Sequence, residues 1–192
     1  MLTAALGLVA LTNPLTIRLS AIGAALAVVY PLVKRVTHWP QIVLGLAFSW
    51  SIPMAFAAST NTLPRELWWL FAANVLWTVV YDTQYAMVDR EDDLSVGIKS
   101  TAILFGDLDV HIIGLLQGLC LLTLWKCGVA FGLGAYYFAA VIAVAIMFVR
   151  HLWLIKHRDI QQCFAAFNQN KWIGLIILAG FYGHFWLGSG IR

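Results

Sequence analysis

Six apolar stretches, at 14–30, 39–58, 66–87, 110–125, 133–155 and 172–187, leave this chain little choice of architecture. A helix needs roughly 20 mostly apolar residues to cross a hydrocarbon core, and several of these stretches approach or meet that length. A shorter apolar piece, 1–12, precedes them. It lacks the basic start and small-residue cleavage pattern of a signal peptide and is short for a span, so it reads as the remaining part of a helix in a larger bundle. Composition agrees: 61% of residues are hydrophobic and 11% charged, where a soluble domain carries about 25% charged residues. The expected fold class is all-α, a multi-span transmembrane helical bundle forming one domain over 1–192. The net charge of +3 is too small to suggest nucleic-acid binding, so lipid bilayer and no nucleic acid are the expected surroundings. Cys120, Cys127 and Cys163 have no metal-ligand spacing, and the first two pack as small hydrophobes in an apolar stretch.

Reading the span ends in alternation places Lys34, Arg35, Arg90, Lys99, Arg150, Lys156, Arg158 and Lys171 on one side. Arg18, Arg65, Lys126 and Arg192 fall on the other. The excess of basic residues marks the first side as cytoplasmic. Trp39, Trp68, Trp69, Trp125 and Trp172 fall near span ends, where amphipathic rings favour the interface. The chemistry-bearing residues gather on the cytoplasmic side, so an active site is expected there.

The strongest local signal is the segment 81–93, in which an apolar helix ends in an acidic cluster holding four of the chain's nine carboxylates. On a continuing helix Tyr85, Asp89 and Asp93 are four apart, so they stack on one face and two carboxylates point at one ion. Magnesium suits such a pair, because this hard cation takes one or two carboxylates and keeps positions for water or phosphate oxygens. The alternative is a solvated helix end. Tyr30, Lys34 and Arg35 close the first full span. They read either as snorkelling anchors or as an anion site in which Lys34 faces phosphate and Arg35 grips a planar carboxylate through paired donors. Asp82 lies inside a span, where an ionisable residue is costly and is either functional or paired within the bundle.

The string 81–93, followed by Gly97-Ile98-Lys99-Ser100-Thr101-Ala102-Ile103-Leu104-Phe105-Gly106, resembles the second aspartate-rich motif of the UbiA family of membrane prenyltransferases. Within it the chain is most similar to the 4-hydroxybenzoate polyprenyltransferases of ubiquinone biosynthesis, a likeness that extends over 30–35 and 50–58. The resemblance implies a bundle of the bacterial inner membrane with a cavity open to the cytoplasm. There Mg2+ would activate a polyprenyl diphosphate for attack by the ring carbon ortho to the hydroxyl of 4-hydroxybenzoate. It further implies Asp89 and Asp93 as metal ligands, Lys34 and Tyr30 on the diphosphate, Tyr85 completing the helical face, and Arg35 on the benzoate carboxylate. Lys99 would be a further cation near the diphosphate, on a lid formed by the loop 90–107.

One departure carries equal weight. The family's earlier motif, an Asn followed by two Asp at four-residue steps, is absent, and the first acidic residue of this chain is Glu66. The chain is therefore expected to lack the first helices of the family fold, to show little or no prenyl transfer alone, and to be unstable or to dimerise. The alternative is a non-catalytic remnant or membrane assembly partner. A transporter using Asp82 as a relay is a weaker reading, since it has no need of the acidic run beside Lys34 and Tyr30.

Overall fold

Proline and short polar caps set where the helices begin. The computed structural model describes residues 2–188; Met1 and residues 189–192, including Arg192, lie outside them. After a short α1 (Leu2–Ala10), Asn13 caps α2 (Pro14–Val36) by accepting the Thr16 N–H at 2.9 Å. Pro14 fills the first helical position, where its missing N–H would have had no partner. Pro40 opens α3 (Pro40–Ser49), which α4 (Ser51–Thr60) continues. The stretch 39–58 is thus two helices broken at Trp50. Pro53, lacking an N–H, cannot bond the carbonyl of Ser49, and the Trp50 indole instead donates to the Leu19 carbonyl at 2.8 Å.

The long α5 (Leu67–Val88) leads into α6 (Arg90–Val96), α7 (Thr101–Phe105) and a 3-10 turn (Gly106–Leu108). Three more helices follow: α8 (Asp109–Ala130), α9 (Ala135–Ile155) and α10 (Ile160–Tyr182), the last running into a π turn (Gly183–Leu187). No strand occurs among the described residues. Four segments, Pro14–Val36, Pro40–Thr60, Thr101–Ala130 and Ala135–Ile155, are long and apolar enough to cross a membrane. The other two long helices, α5 and α10, are not among these four and carry the buried polar groups described next.

The centre of the bundle is α5, packed on α3, α8 and α10, with α9 closing against α8 and α10. Ala73, Cys120, Leu124, Tyr137, Val144 and Phe148 are buried in one cluster; Val80, Met87, Ile113, Ile155 and Cys163 are buried in a second, nearer the acidic run. A polar seam joins α5 to α10. The Trp77 indole donates to Asn170 Oδ1 at 2.9 Å, and Asn170 Nδ2 donates to Gln84 Oε1 at 2.8 Å.

This seam explains the largest difference from the expected spans. The sixth stretch was expected at 172–187, but its helix starts at Ile160, capped by Asp159, which accepts the Gln162 N–H at 2.9 Å. The segment 161–170, with its Gln and Asn residues, lay outside the expected span, yet Asn170 is buried with its amide hydrogen-bonded inside the bundle. Lys171 consequently sits midway along α10, its ammonium 5.8 Å from the Trp172 ring centre, and not at a span end.

Between helices in lipid there is little hydrophobic driving force, so close approach of small residues carries the packing. A Cβ on Gly180 would meet the Ala140 Cβ at 2.6 Å. Gly180→Leu is expected to cost about 1–3 kcal/mol or more by overpacking. Thermal unfolding in detergent checks this, an unchanged midpoint being the contrary result.

Candidate active site

The acidic run hangs from the end of α5 at a bend. Asp89 leaves helical geometry (φ −89, ψ 5), yet the hydrogen-bond ladder passes through it. Its N–H donates to Tyr85 O at 3.4 Å, and the Asp93 N–H donates to Asp89 O at 2.8 Å. The expected stack of Tyr85, Asp89 and Asp93 therefore survives although the helix is divided into α5 and α6. Gly97, in the left-handed region at φ 71, ends α6. The Ile98 N–H returns to Asp93 O at 2.9 Å, fixing the turn.

The loop beyond is pinned to the opposite wall. The Lys99 N–H donates to Lys34 O at 3.1 Å, and Lys99 Nζ donates to Val36 O at 3.1 Å. The Thr101 N–H donates to Gln41 Oε1 at 3.1 Å, and the Thr83 and Thr101 hydroxyls share a hydrogen bond of 2.7 Å. Ser100 caps α7 by accepting the Ile103 N–H at 3.4 Å.

These contacts enclose a small polar cavity of about 30 Å³ lined by Lys34, Asp82, Tyr85, Asp89, Asp93 and Lys99, with Gln41 and Ser100. Six of the eight residues singled out from the sequence thus meet in one place. The Lys34 ammonium lies 5.5 Å from the Tyr30 ring centre and interacts electrostatically with Asp82 and Asp93. Tyr30 is therefore beside the site, through Lys34, without lining it. Arg35, one position further round α2, is exposed and forms no part of the cavity wall.

Two polar lining residues escaped the sequence reading, beside the apolar Ala86 and Ile98. Gln41 is a polar side chain at the start of an apolar stretch, directly after Pro40, and Ser100 is separated only by Thr101 from the apolar run 102–105; a hydroxyl just ahead of an apolar run is an ordinary cap signal. Arg90, though next to Asp89, does not line the cavity. It pairs with Asp109.

Partial burial first, then the charge of Asp89, holds the Asp93 carboxyl above its ordinary range, with Lys34 acting the other way and Asp92 adding to the rise. A carboxyl raised in the folded state favours folding below its unfolded value and loses that contribution as pH rises through the folded value. At neutral pH the ionised Asp93 is thus mildly unfavourable until a cation joins it. Mg2+ is expected to raise the melting temperature at pH 7 and to lose that effect in mild acid, above the range of an ordinary carboxylate. Asp93→Asn without metal should melt no lower than the wild type. Melting curves at several pH values with and without Mg2+ decide it.

The cavity carries charge of both signs. Three carboxylates line it and the Lys34 ammonium interacts with two of them, Asp82 and Asp93, while the Lys99 ammonium is held by the Val36 carbonyl; hard oxygen donors beside a cation suit a divalent ion that carries an anionic group. Among the described residues no group of three or more His, Cys, Asp or Glu is arranged to close on one metal. An ion held by Asp89 and Asp93 would keep positions for water or phosphate oxygens.

The profile of the UbiA prenyltransferase family matches residues 1–183. The chain belongs to the UbiA prenyltransferase family. This UbiA member is 53% identical over 176 residues to the 4-hydroxybenzoate octaprenyltransferase of Alkalilimnicola ehrlichii, covering 92% of the chain and 60% of the relative. It is 55% identical over 174 residues to the enzyme of the same name from Pseudomonas aeruginosa, covering 91% of the chain and 59% of the relative. The apo structure of a UbiA homolog from Aeropyrum pernix K1 superposes with a TM-score of 0.78 at 26% identity, covering 91% of the chain and 66% of that structure. The all-helical UbiA bundle is thus the fold of this chain, and its apolar helices make it a multi-pass membrane protein. The chain spans about three-fifths of the length of the curated relatives it matches.

Proposed function

We propose that this cavity is the diphosphate end of an aromatic prenyltransferase site. Its reaction would be Mg2+-dependent transfer of a polyprenyl group from polyprenyl diphosphate to the ring carbon ortho to the hydroxyl of 4-hydroxybenzoate, within ubiquinone biosynthesis at the cytoplasmic side of a bacterial inner membrane. The observation that carries this reading is the gathering of Asp82, Asp89 and Asp93 with Lys34 and Lys99 around one small cavity, the Lys34 ammonium interacting with Asp82 and Asp93. The names of the relatives, 4-hydroxybenzoate octaprenyltransferases, support the donor and the acceptor.

Asp89 and Asp93 would hold the ion. When bound, Mg2+ supplies Lewis-acid stabilisation of the charge that gathers on the leaving group. Lys34, steadied by Tyr30, and Lys99 would orient the diphosphate by charge-assisted hydrogen bonds. As the allylic carbon–oxygen bond breaks, its electron pair leaves with the diphosphate; the ring carbon then bonds the allylic carbon and loses its proton. The 30 Å³ cavity has room for an ion and a water or two, so the diphosphate would lie across its mouth and the isoprenoid outside it. An apolar cavity of about 130 Å³ between α5, α8 and α10, lined by Leu70, Ala73, Trp77, Leu124 and Ile177, lies further along α5 and suits a hydrocarbon tail. Arg35 is the proposed partner of the benzoate carboxylate; from its exposed place on α2 it would reach the acceptor from outside the cavity.

The test is product formation. Membranes bearing the chain receive polyprenyl diphosphate, 4-hydroxybenzoate and Mg2+, alone and with the unmatched segment of a relative co-expressed. With the carboxylates of the cavity but without the family's earlier aspartate-rich motif, the chain alone is expected to show little or no transfer. The supplemented membranes are expected to yield 3-polyprenyl-4-hydroxybenzoate. No product in either case, with both polypeptides present in the membrane, favours a non-catalytic role.

A further inference from the structure

Arg90 directly follows Asp89, and its guanidinium is the nearest strong cation in the sequence to both proposed ligands. An arginine fork matches a carboxylate closely, so an unrestrained Arg90 would be an internal competitor for any metal at Asp89 and Asp93. The structure turns it away. Arg90 Nη2 pairs with Oδ2 of Asp109 at the start of α8, a carboxylate with no exposed surface.

Asp109 is itself held from other sides. Arg158, in the turn between α9 and α10, donates from Nε to both carboxylate oxygens at 3.1 and 3.2 Å. Its Nη2 stands 3.0 Å from Asp109 Oδ1 and donates to the Asp107 carbonyl at 2.7 Å. The Val110 N–H donates to Asp109 Oδ1 at 2.6 Å. Arg158 does this from the left-handed region, at φ 57, a conformation an arginine keeps only when its surroundings impose it. One buried carboxylate thus fastens the bend at Asp89 to the loops before α8 and before α10.

We infer that Asp109 is a positioning residue of the metal site: by sequestering the Arg90 guanidinium on the far side of the α5–α6 bend, it keeps Asp89 and Asp93 free for a cation. The inference rests on the reading of those two residues as metal ligands. Arg158 anchors Asp109 but does not compete for the metal, so loss of Arg158 and loss of Asp109 have different consequences.

The test is Mn2+ binding to the purified chain in nanodiscs, followed by electron paramagnetic resonance, with helicity recorded for each variant. Asp109→Asn is expected to weaken Mn2+ binding by about tenfold or more, the usual range for losing a residue that orients a ligand. Adding Arg90→Gln to Asp109→Asn should return affinity to near the wild-type value, because the released competitor is gone. Arg158→Gln should lower thermal stability and leave Mn2+ affinity unchanged. Unchanged binding in Asp109→Asn, no recovery in the double variant, or an equal loss in Arg158→Gln would each overturn the inference. The third arm decides even if Asp109→Asn does not fold. A wild-type chain binding no Mn2+ that Asp89→Asn and Asp93→Asn remove takes the metal reading and this inference down together. Normal wild-type binding with an indifferent Asp109→Asn defeats this inference alone.

Discussion

Replacing Asp89 and Asp93 together by asparagine is expected to abolish divalent-cation binding and to lower prenyl transfer by at least about a thousandfold. Lewis-acid stabilisation of a leaving group supplies several kcal/mol, and each 1.36 kcal/mol of barrier is a factor of ten. Asn keeps the size of each side chain but removes the charge that holds a hard cation. Both positions are only partly buried, and their backbone hydrogen bonds do not involve the carboxylates, so helicity should be retained. Transfer is read in the supplemented membranes and cation binding on the purified chain. A double variant that keeps its rate within a factor of ten would refute the role assigned to the pair.

Lys34→Met should split two affinities that a merely damaged site would lose together. The ammonium interacts with Asp82 and Asp93 across the cavity and is placed to meet a diphosphate. Charge-assisted hydrogen bonds contribute about 1.5–3 kcal/mol, so donor affinity should fall by about ten- to a hundredfold. The same change removes a positive charge beside the carboxylates, so Mn2+ should bind more tightly. The KM for 4-hydroxybenzoate should move little. Parallel losses of metal and donor binding would show that Lys34 supports the structure of the site and not its contact with phosphate.

How far the sequence reveals this molecule depends on the range over which each feature is built. The stack of Tyr85, Asp89 and Asp93 was legible because a four-residue period outlasts the bend at Asp89: the ladder continues through it. Lys34 was legible by its spacing from Tyr30, but the different fates of Lys34 and Arg35 depend on a single step round α2, which sequence alone cannot orient. Trp50 was hidden in an apolar stretch whose hydropathy does not change at the break, although Pro53 was its signal. The start of α10 was misplaced because Asn170 is polar in composition and buried in fact; its partners Trp77 and Gln84 stand 93 and 86 residues away. The grip of Asp109 on Arg90 and Arg158 joins residues 19 and 49 apart, and no local pattern announces it.

The seam of Trp77, Asn170 and Gln84 also fixes a depth. Two greasy rods in oil can slip past each other by one turn, about 5.4 Å, at small expense. Such a slip here would strand the Trp77 indole N–H and the side-chain oxygens of Asn170 and Gln84 where there is no water to receive them. Asn170 therefore acts as an index mark between α5 and α10, and the height of the carboxylates relative to the membrane surface is set from within the bundle, by a seam that spans Asp82 and ends little more than one turn before Asp89, and not by the loops that surround them.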